Sequence, residues 1–331
     1  LNKGNVGETE MIDDPILLND WHVVARSEDL NPGGVVGARL LGEDIVLWRA
    51  GDQIMAWQDL CIHRGTKLSL GSVEGNLLTC PYHGWTYNEE GRCVRIPAHP
   101  DQVPPMRARV KPYSVEERYG WIWVCLGEPA NEIPLFAEWD DPSYRKIFCG
   151  PYRFRAHGPR VVENFLDVAH FPFVHEGYLG DRQHTEISDY EVISNGDAVT
   201  ASDIQLWQPD PDGTGVGKMV SYTYRVYRPL TAYFVKIAAQ SFSIYFAVTP
   251  VDELESLGWM WMNMNYGYDI PEEQLRAFQD TVAGQDIPIV ESQRPERLPL
   301  DLQAELHLRS DRTAIAYRKW LRELGLKFGT E

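Results

Sequence analysis

Apolar and polar residues alternate along residues 35–49 and again along 53–58, with Ala50-Gly51-Asp52-Gln53 between the two runs. A period of two belongs to a half-buried strand, and the Gly-Asp pair marks a tight turn. Trp21-His22-Val23-Val24-Ala25 reads as another strand, closed by a turn at Asn31-Pro32-Gly33-Gly34. Short strands joined by tight turns predict a small antiparallel β-domain at the start of the chain.

The pattern then changes in scale. Residues 186–194, 198–207, 220–226, 233–239, 242–249 and 258–266 are rich in aromatic and β-branched residues, as the strands of a larger sheet should be. Residues 209–217 are turn-rich. A helix is expected over 271–282, with Pro271 at its start and Glu272 and Glu273 in its first turn. Gly284-Gln285-Asp286-Ile287-Pro288 should interrupt that helix, which resumes through Arg294. Residues 314–325 form an amphipathic helix with Trp320 and Leu321 inward. The fold class is α+β: an all-β domain over residues 1–130, including an N-terminal extension, and a domain over 131–331 with an antiparallel sheet flanked by helices. The boundary falls at Gly127-Glu128-Pro129-Ala130.

Composition narrows the function. A chain of 331 residues holds two domains, and 11 Trp and 16 Tyr supply sizeable cores. A net charge of −17 argues against a nucleic-acid partner, which requires an excess of Lys and Arg. No run approaches the roughly 18 apolar residues that span a bilayer. The opening LNKGNVGETE has no apolar signal-peptide stretch, which makes Met11 a candidate start. Five cysteines, an odd number in a large chain, do not resemble a secreted disulfide framework. The expectation is a cytoplasmic protein with no membrane and no nucleic acid.

Two stretches of the first domain carry chemistry. Cys61-x-His63 and Cys80-x2-His83 each pair a soft thiolate with an imidazole next to a glycine, Gly65 and Gly84. Four such ligands on two loops suit a tetrahedral zinc or a [2Fe–2S] cluster. The single residue inside the first pair would crowd one ion. Two irons let each loop give one ligand to each, with Cys61 and Cys80 on one iron and His63 and His83 on the other. Cys93, Cys125 and Cys149 match no ligand position and read as core thiols. His22 and His99 read as rings bonded to backbone.

A third stretch, VENFLDVAHFPFVH over residues 162–175, reads as helix. Asp167 and His170 would share a face at i,i+3, and His175 would arrive from beyond Pro172. Two imidazoles with a carboxylate against one of them suit a metal, although a buried helix with satisfied polar residues is the plain alternative.

Taken together, CxHRG…CPYHGWxY and the later Asp-x2-His-x4-His resemble the two metal motifs of the Rieske non-haem iron oxygenases, in the expected order. The strand YGWIWV over residues 119–124 resembles the one that closes their cluster domain. The likeness covers nearly the whole chain and is nearest to the phthalate and vanillate demethylase type. Shared runs such as WHVVA, IPAHPD, HFPFxHEGxLGDR and AYRxWLxELG are most similar to the saxitoxin-pathway hydroxylases.

The resemblance implies a [2Fe–2S] Rieske cluster on Cys61, His63, Cys80 and His83, and a mononuclear Fe(II) on His170, His175 and Asp286. Asp280 is the next candidate for the carboxylate, and Asp286 could instead cap a helix. Asp167 is implied to bridge His170 to His83 of a neighbouring subunit in a head-to-tail homotrimer, a heterologous contact that closes cyclically. Asn164 is the other polar residue beside the iron. Electrons are expected from NAD(P)H through a flavin-dependent reductase, a ferredoxin, or both, with O₂ as the oxidant. The implied reaction is monooxygenation: hydroxylation of a C–H bond in a small aromatic or alkaloid substrate, with oxidative N- or O-demethylation as the second reading. A Rieske electron carrier without oxygen chemistry is the reading from a different class. The pocket is expected to draw on Tyr224, Phe242, Phe246, Trp261 and Met262, with Phe234 and Trp259 as further candidates.

Overall fold

A computed structural model describes residues 12–331; the candidate start at Met11 lies outside them. The chain divides into two compact units, Leu1–Glu132 and Ile133–Glu331. No helix among the described residues is long and apolar enough to cross a membrane.

The first unit opens with a one-turn helix, α1 (Pro15–Leu18), capped by the Asp14 carboxylate. Its first four strands are β1 (His22–Arg26), β2 (Val35–Leu40), β3 (Glu43–Ala50) and β4 (Gln53–Gln58). Then come β5 (Ser72–Glu74), β6 (Leu77–Thr79), β7 (Thr86–Asn88), β8 (Cys93–Arg95), β9 (Pro112–Arg118) and β10 (Trp121–Cys125). They form a six-stranded sheet in the order β1-β10-β9-β4-β3-β2 and a four-stranded sheet β5-β6-β7-β8. The alternating run 35–49 is two strands rather than one. Leu41 and Gly42 both take positive φ, 53° and 79°, the geometry of a two-residue hairpin turn. Trp48 and Trp57 of the larger sheet meet edge to face at 4.8 Å and pack in one core with Leu68, Leu78 and Tyr87. His22 Nε2 donates to the Leu17 carbonyl at 2.8 Å as expected, whereas His99 is exposed.

The second unit contains β11 (Arg145–Phe154), α2 (Gly158–Leu166) and α3 (Phe171–Val174). There follow β12 (Glu191–Ser194), β13 (Val199–Gln208), β14 (Lys218–Arg228), β15 (Thr231–Ile237), β16 (Ser241–Asp252) and β17 (Glu255–Met264). Two helices, α4 (Glu272–Ser292) and α5 (Arg312–Leu324), complete it. The seven strands form one antiparallel sheet, β11-β17-β16-β15-β14-β13-β12.

Three elements differ from expectation. Strand β11 escapes the pattern because Gly150-Pro151 interrupts its apolar run; it survives as an edge strand, where a missing N–H costs no interior ladder bond. Helix α4 is continuous through Gly284 and Pro288. Burial of Val282, Ala283 and Val290 on its inner flank overrides the local helix-breaking signal. The stretch 162–175 is not one helix: α2 ends at Leu166, residues 167–170 are non-helical, and α3 begins at Phe171 with Pro172 in its first turn.

Helix α5 ends at Gly325, whose φ of 80° lies in the left-handed region. Its inner face buries Tyr317, Trp320 and Leu321, and also Arg318. The Arg318 guanidinium forks onto Glu163 of α2 at 2.5 and 2.8 Å. Arg160 and Arg318 both reach Glu305 as well. This paired, buried network holds α2 in place, and α2 leads directly into the site.

Candidate metal centres and the cavity beside them

The two Cys-His loops fold alike. Cys61 N–H donates to the Thr66 carbonyl at 2.8 Å, and Gly65 N–H to the Cys61 carbonyl at 2.9 Å. In the second loop Cys80 N–H donates to the Trp85 carbonyl at 2.8 Å and Gly84 N–H to the Cys80 carbonyl at 3.1 Å. Gly65 and Gly84 close these turns at φ of 72° and 69°, where other residues would be strained. Each loop therefore buries its cysteine and carries its histidine near the tip. The two imidazoles lie with ring centroids 4.6 Å apart, His63 stacks on Trp85 at 4.5 Å, and His83 is exposed.

His63 Nδ1 is buried without a hydrogen-bond partner, and burial pushes the Cys80 thiol up. An orphaned imidazole nitrogen beside two buried thiols is the donor set of a cluster whose positive irons compensate thiolate charge. The sequence reading did not single out Tyr87, whose hydroxyl lies 3.1 Å from Cys61 Sγ.

In the second unit His170, His175 and Asp286 converge, each offering one ligand atom within 4.8 Å of the others. His170 Nε2 and His175 Nε2 are 3.2 Å apart, and Asp286 Oδ1 is 3.4 and 3.1 Å from them. The other ring nitrogens set the tautomers. His170 Nδ1 faces Asp167 Oδ2 at 3.1 Å, and His175 Nδ1 faces Gln285 Oε1 at 2.8 Å. Both partners are acceptors, so both protons sit on Nδ1 and both Nε2 lone pairs point at the Asp286 oxygen. Three lone pairs this close require a cation between them. Three donors bound cis to one ion at about 2.1 Å would lie about 3.0 Å apart, close to the spacing seen. Burial opposes charge on His170, but Asp167 and Asp286 outweigh it and push the imidazole up to about 9. Burial also works against ionised Asp286, yet His170 and His175 hold its carboxyl below the ordinary value.

The route by which Asp167 reaches His170 differs from expectation. Asp167 is extended, with φ −82° and ψ 131°, and its Oδ1 accepts from Ala169 N–H at 2.7 Å. A local turn, not a helix face, sets the contact. The other edge of the carboxylate remains partly exposed. Asp286 sits inside α4 and caps nothing. Asp280 lies on the exposed side of α4, where its carboxylate accepts from Tyr152 O–H at 2.6 Å, away from the histidines. Gln285 carried no signal in the sequence, because its role depends on a residue 110 positions earlier.

His170, His175 and Asp286 stand at the wall of a cavity of about 320 Å³. Tyr224, Phe234, Phe242 and Met262 line it, as does Asn164. Phe246, Trp259 and Trp261 do not. On β17 the side chains alternate, so Met260, Met262 and Met264 face the cavity while the intervening tryptophans face away. Trp261 packs on Trp139 and Phe148, and Trp259 Nε1 donates to Thr249 Oγ1. Phe246 has the inward parity but is covered by Phe165 at 4.7 Å. Phe165, Tyr222, Gln208 and Lys236 were not anticipated as lining.

Residues 20–113 match the Rieske [2Fe-2S] domain, and residues 154–327 match the vanillate O-demethylase oxygenase C-terminal domain. The chain belongs to the Rieske non-haem iron oxygenases. An electron carrier without oxygen chemistry is thereby set aside, because the second unit is an oxygenase domain. This Rieske oxygenase is 35% identical over 317 residues to the methylxanthine N1-demethylase NdmA of Pseudomonas putida, covering 93% of this chain and 89% of that one. It is 31% identical to the methylxanthine N3-demethylase NdmB of the same organism, covering 95% and 91%. The solved structure of Pseudomonas putida NdmA with caffeine matches with a TM-score of 0.80 at 33% identity, over 93% of this chain and 91% of that one. These matches run nearly the length of the oxygenase and replace the finer likeness to saxitoxin-pathway hydroxylases read from short runs.

Proposed function

We propose that this oxygenase removes an N-methyl group from a small heterocycle related to the methylxanthines, releasing formaldehyde. The observation that carries this reading is the set of convergent lone pairs on His170, His175 and Asp286 at the wall of an aromatic cavity. Two His and one carboxylate leave open positions for O₂ and substrate on a non-haem Fe(II). The resemblance to two methylxanthine N-demethylases over nine-tenths of the chain supports demethylation above simple hydroxylation. When bound, the iron supplies oxygen activation.

The balanced reaction takes one O₂, two electrons and two protons. It converts N–CH₃ to N–CH₂OH with loss of water, and the N–CH₂OH product then collapses to N–H and formaldehyde. The residues of this chain position the reactants. Phe165, Phe234 and Phe242 line the cavity as tilted neighbours, with Phe165 5.5 Å from Phe234 and Phe234 6.0 Å from Phe242. Flat apolar walls suit a planar ring and exclude water from the reacting carbon. Asn164 is the polar side chain of α2 on the same wall.

NAD(P)H reduces a separate flavin-dependent reductase, with or without a ferredoxin, and the reductase reduces the Rieske cluster one electron at a time. His83 is exposed on its loop and Asp167 is partly exposed beside His170. In a head-to-tail trimer the His83 of one subunit meets the Asp167 of the next.

The test is turnover of the purified oxygenase with a generic reductase, NADH and a panel of N-methylated and O-methylated rings. Stoichiometric formaldehyde from methylxanthines is the expected result. Hydroxylated product without formaldehyde would return the assignment to a hydroxylase.

A further inference from the structure

Lys236 is an ammonium buried to 7% exposure in the wall of the cavity. Among the described residues no carboxylate lies within ion-pair distance of it. Its Nζ donates to the Pro211 carbonyl at 2.8 Å and to Gln208 Oε1 at 3.3 Å. An ammonium has three N–H groups; the third finds no oxygen and faces only the Phe242 ring, whose centroid is 4.9 Å from Nζ. Tyr222 stands opposite Lys236 across the β14–β15 pair. Its hydroxyl oxygen accepts from Gln208 Nε2 at 2.9 Å, and its own proton has no acceptor. Gln208 thus holds Lys236 and Tyr222 side by side, each with a donor to spare. Two residues along β14, the Tyr224 hydroxyl is buried with no partner at all. Burial keeps both tyrosines protonated, as donors.

Asp210 and Asp212 also line the cavity. Asp210 accepts from Gly215 N–H, and Asp212 from Lys218 and Thr214. The spare donors of Lys236, Tyr222 and Tyr224 lie together on the adjacent strands β14 and β15 of the cavity wall. A buried donor without a partner costs free energy, which a ligand acceptor recovers. Two lysines and two aspartates balance locally, so an added anion would be left uncompensated and a neutral oxygen would not.

We propose that Lys236 Nζ and the Tyr222 hydroxyl form a paired donor that takes a ring carbonyl oxygen of the substrate. The pair selects a neutral heterocycle that carries ring carbonyl oxygens. This substrate class rests on the demethylase reading and sharpens it. Lys236 and Tyr222 are specificity residues, remote from the reacting bond.

The test is calorimetric binding to the iron-loaded oxygenase without O₂, using caffeine and an N-methylated purine that lacks the ring oxygens. Lys236→Met removes the donor at nearly constant length, and Tyr222→Phe is the second variant. Loss of a hydrogen bond to a charged donor should weaken caffeine by about 10- to 100-fold in Lys236→Met. Tyr222→Phe should weaken it by about 3- to 10-fold. The oxygen-free purine should bind both variants and the wild type within about twofold. A structural role for Lys236 in anchoring the 209–217 loop would weaken both ligands alike, and that result overturns the proposal. So does unchanged caffeine affinity in both variants, or wild-type protein that binds the two ligands equally. Formaldehyde release decides the other reading separately. Turnover with unaltered affinity in the variants would remove the donor pair and leave the demethylase. Carbonyl-selective binding lost in the variants, without formaldehyde from wild type, would do the reverse.

Discussion

His175 Nδ1 lies 2.8 Å from Gln285 Oε1, and Gln285 is the neighbour of Asp286 on α4. One helix therefore supplies both the carboxylate of the proposed iron site and the acceptor that fixes the tautomer of one histidine. Replacing Gln285 by Leu removes the acceptor and frees the imidazole to protonate at Nε2. The expected outcome is a loss of about 10- to 100-fold in mononuclear iron affinity, read by metal titration against a chelator. Cluster absorbance should not change.

Asp286→Ala should take iron from three to two atoms per chain while the visible spectrum of the cluster persists. Asp280→Ala should keep all three, because that carboxylate engages Tyr152. Iron analysis with both variants checks the assignment directly. Full occupancy in Asp286→Ala would reopen it.

Asp167 touches His170 but stands outside the convergent donor set. Asp167→Ala should retain both metal sites and lose coupling between them. Stopped-flow oxidation of a prereduced cluster, with substrate and O₂ present, should slow by orders of magnitude. Normal turnover in this variant would eliminate the bridge.

Tyr87 places its hydroxyl 3.1 Å from Cys61 Sγ. A hydrogen bond to a cluster sulfur stabilises the reduced, more negative state. Tyr87→Phe should lower the cluster potential, measured by redox titration, with the same iron and sulfide content.

His22 is fully buried against the Leu17 carbonyl, and burial takes its imidazole down to about 4. The unfolded chain binds the proton first, so this contribution is complete above about pH 6.5 and is lost as pH falls towards 4. At pH 5 the loss should reach about 2 kcal/mol. His22→Gln keeps a donor for Leu17 but does not titrate. Denaturant unfolding at pH 7 and pH 5 should therefore show a smaller drop in His22→Gln than in wild type.

Much of the molecule is legible in the linear order of its residues. Cys61-x-His63 and Cys80-x2-His83 act within single loops, so spacing alone specifies their chemistry. The strands β13 to β17 follow from composition, because a half-buried sheet repeats every two residues. Asp167 and His170 were paired correctly for the wrong reason, since an extended turn and a helix both bring positions three apart together.

Tertiary structure decided what depends on distant partners. Whether Asp286 or Asp280 faces the histidines turns on α4 running unbroken through Pro288, and packing of its inner flank, not propensity, settles that. Parity on β17 sends Met262 into the cavity and Trp261 out of it, a choice that one residue of register would reverse. Gln285, Lys236 and Tyr222 acquire their roles only where strands and helices far apart in sequence meet. Local spacing determines which ligands exist; long-range packing determines which of them share one point in space.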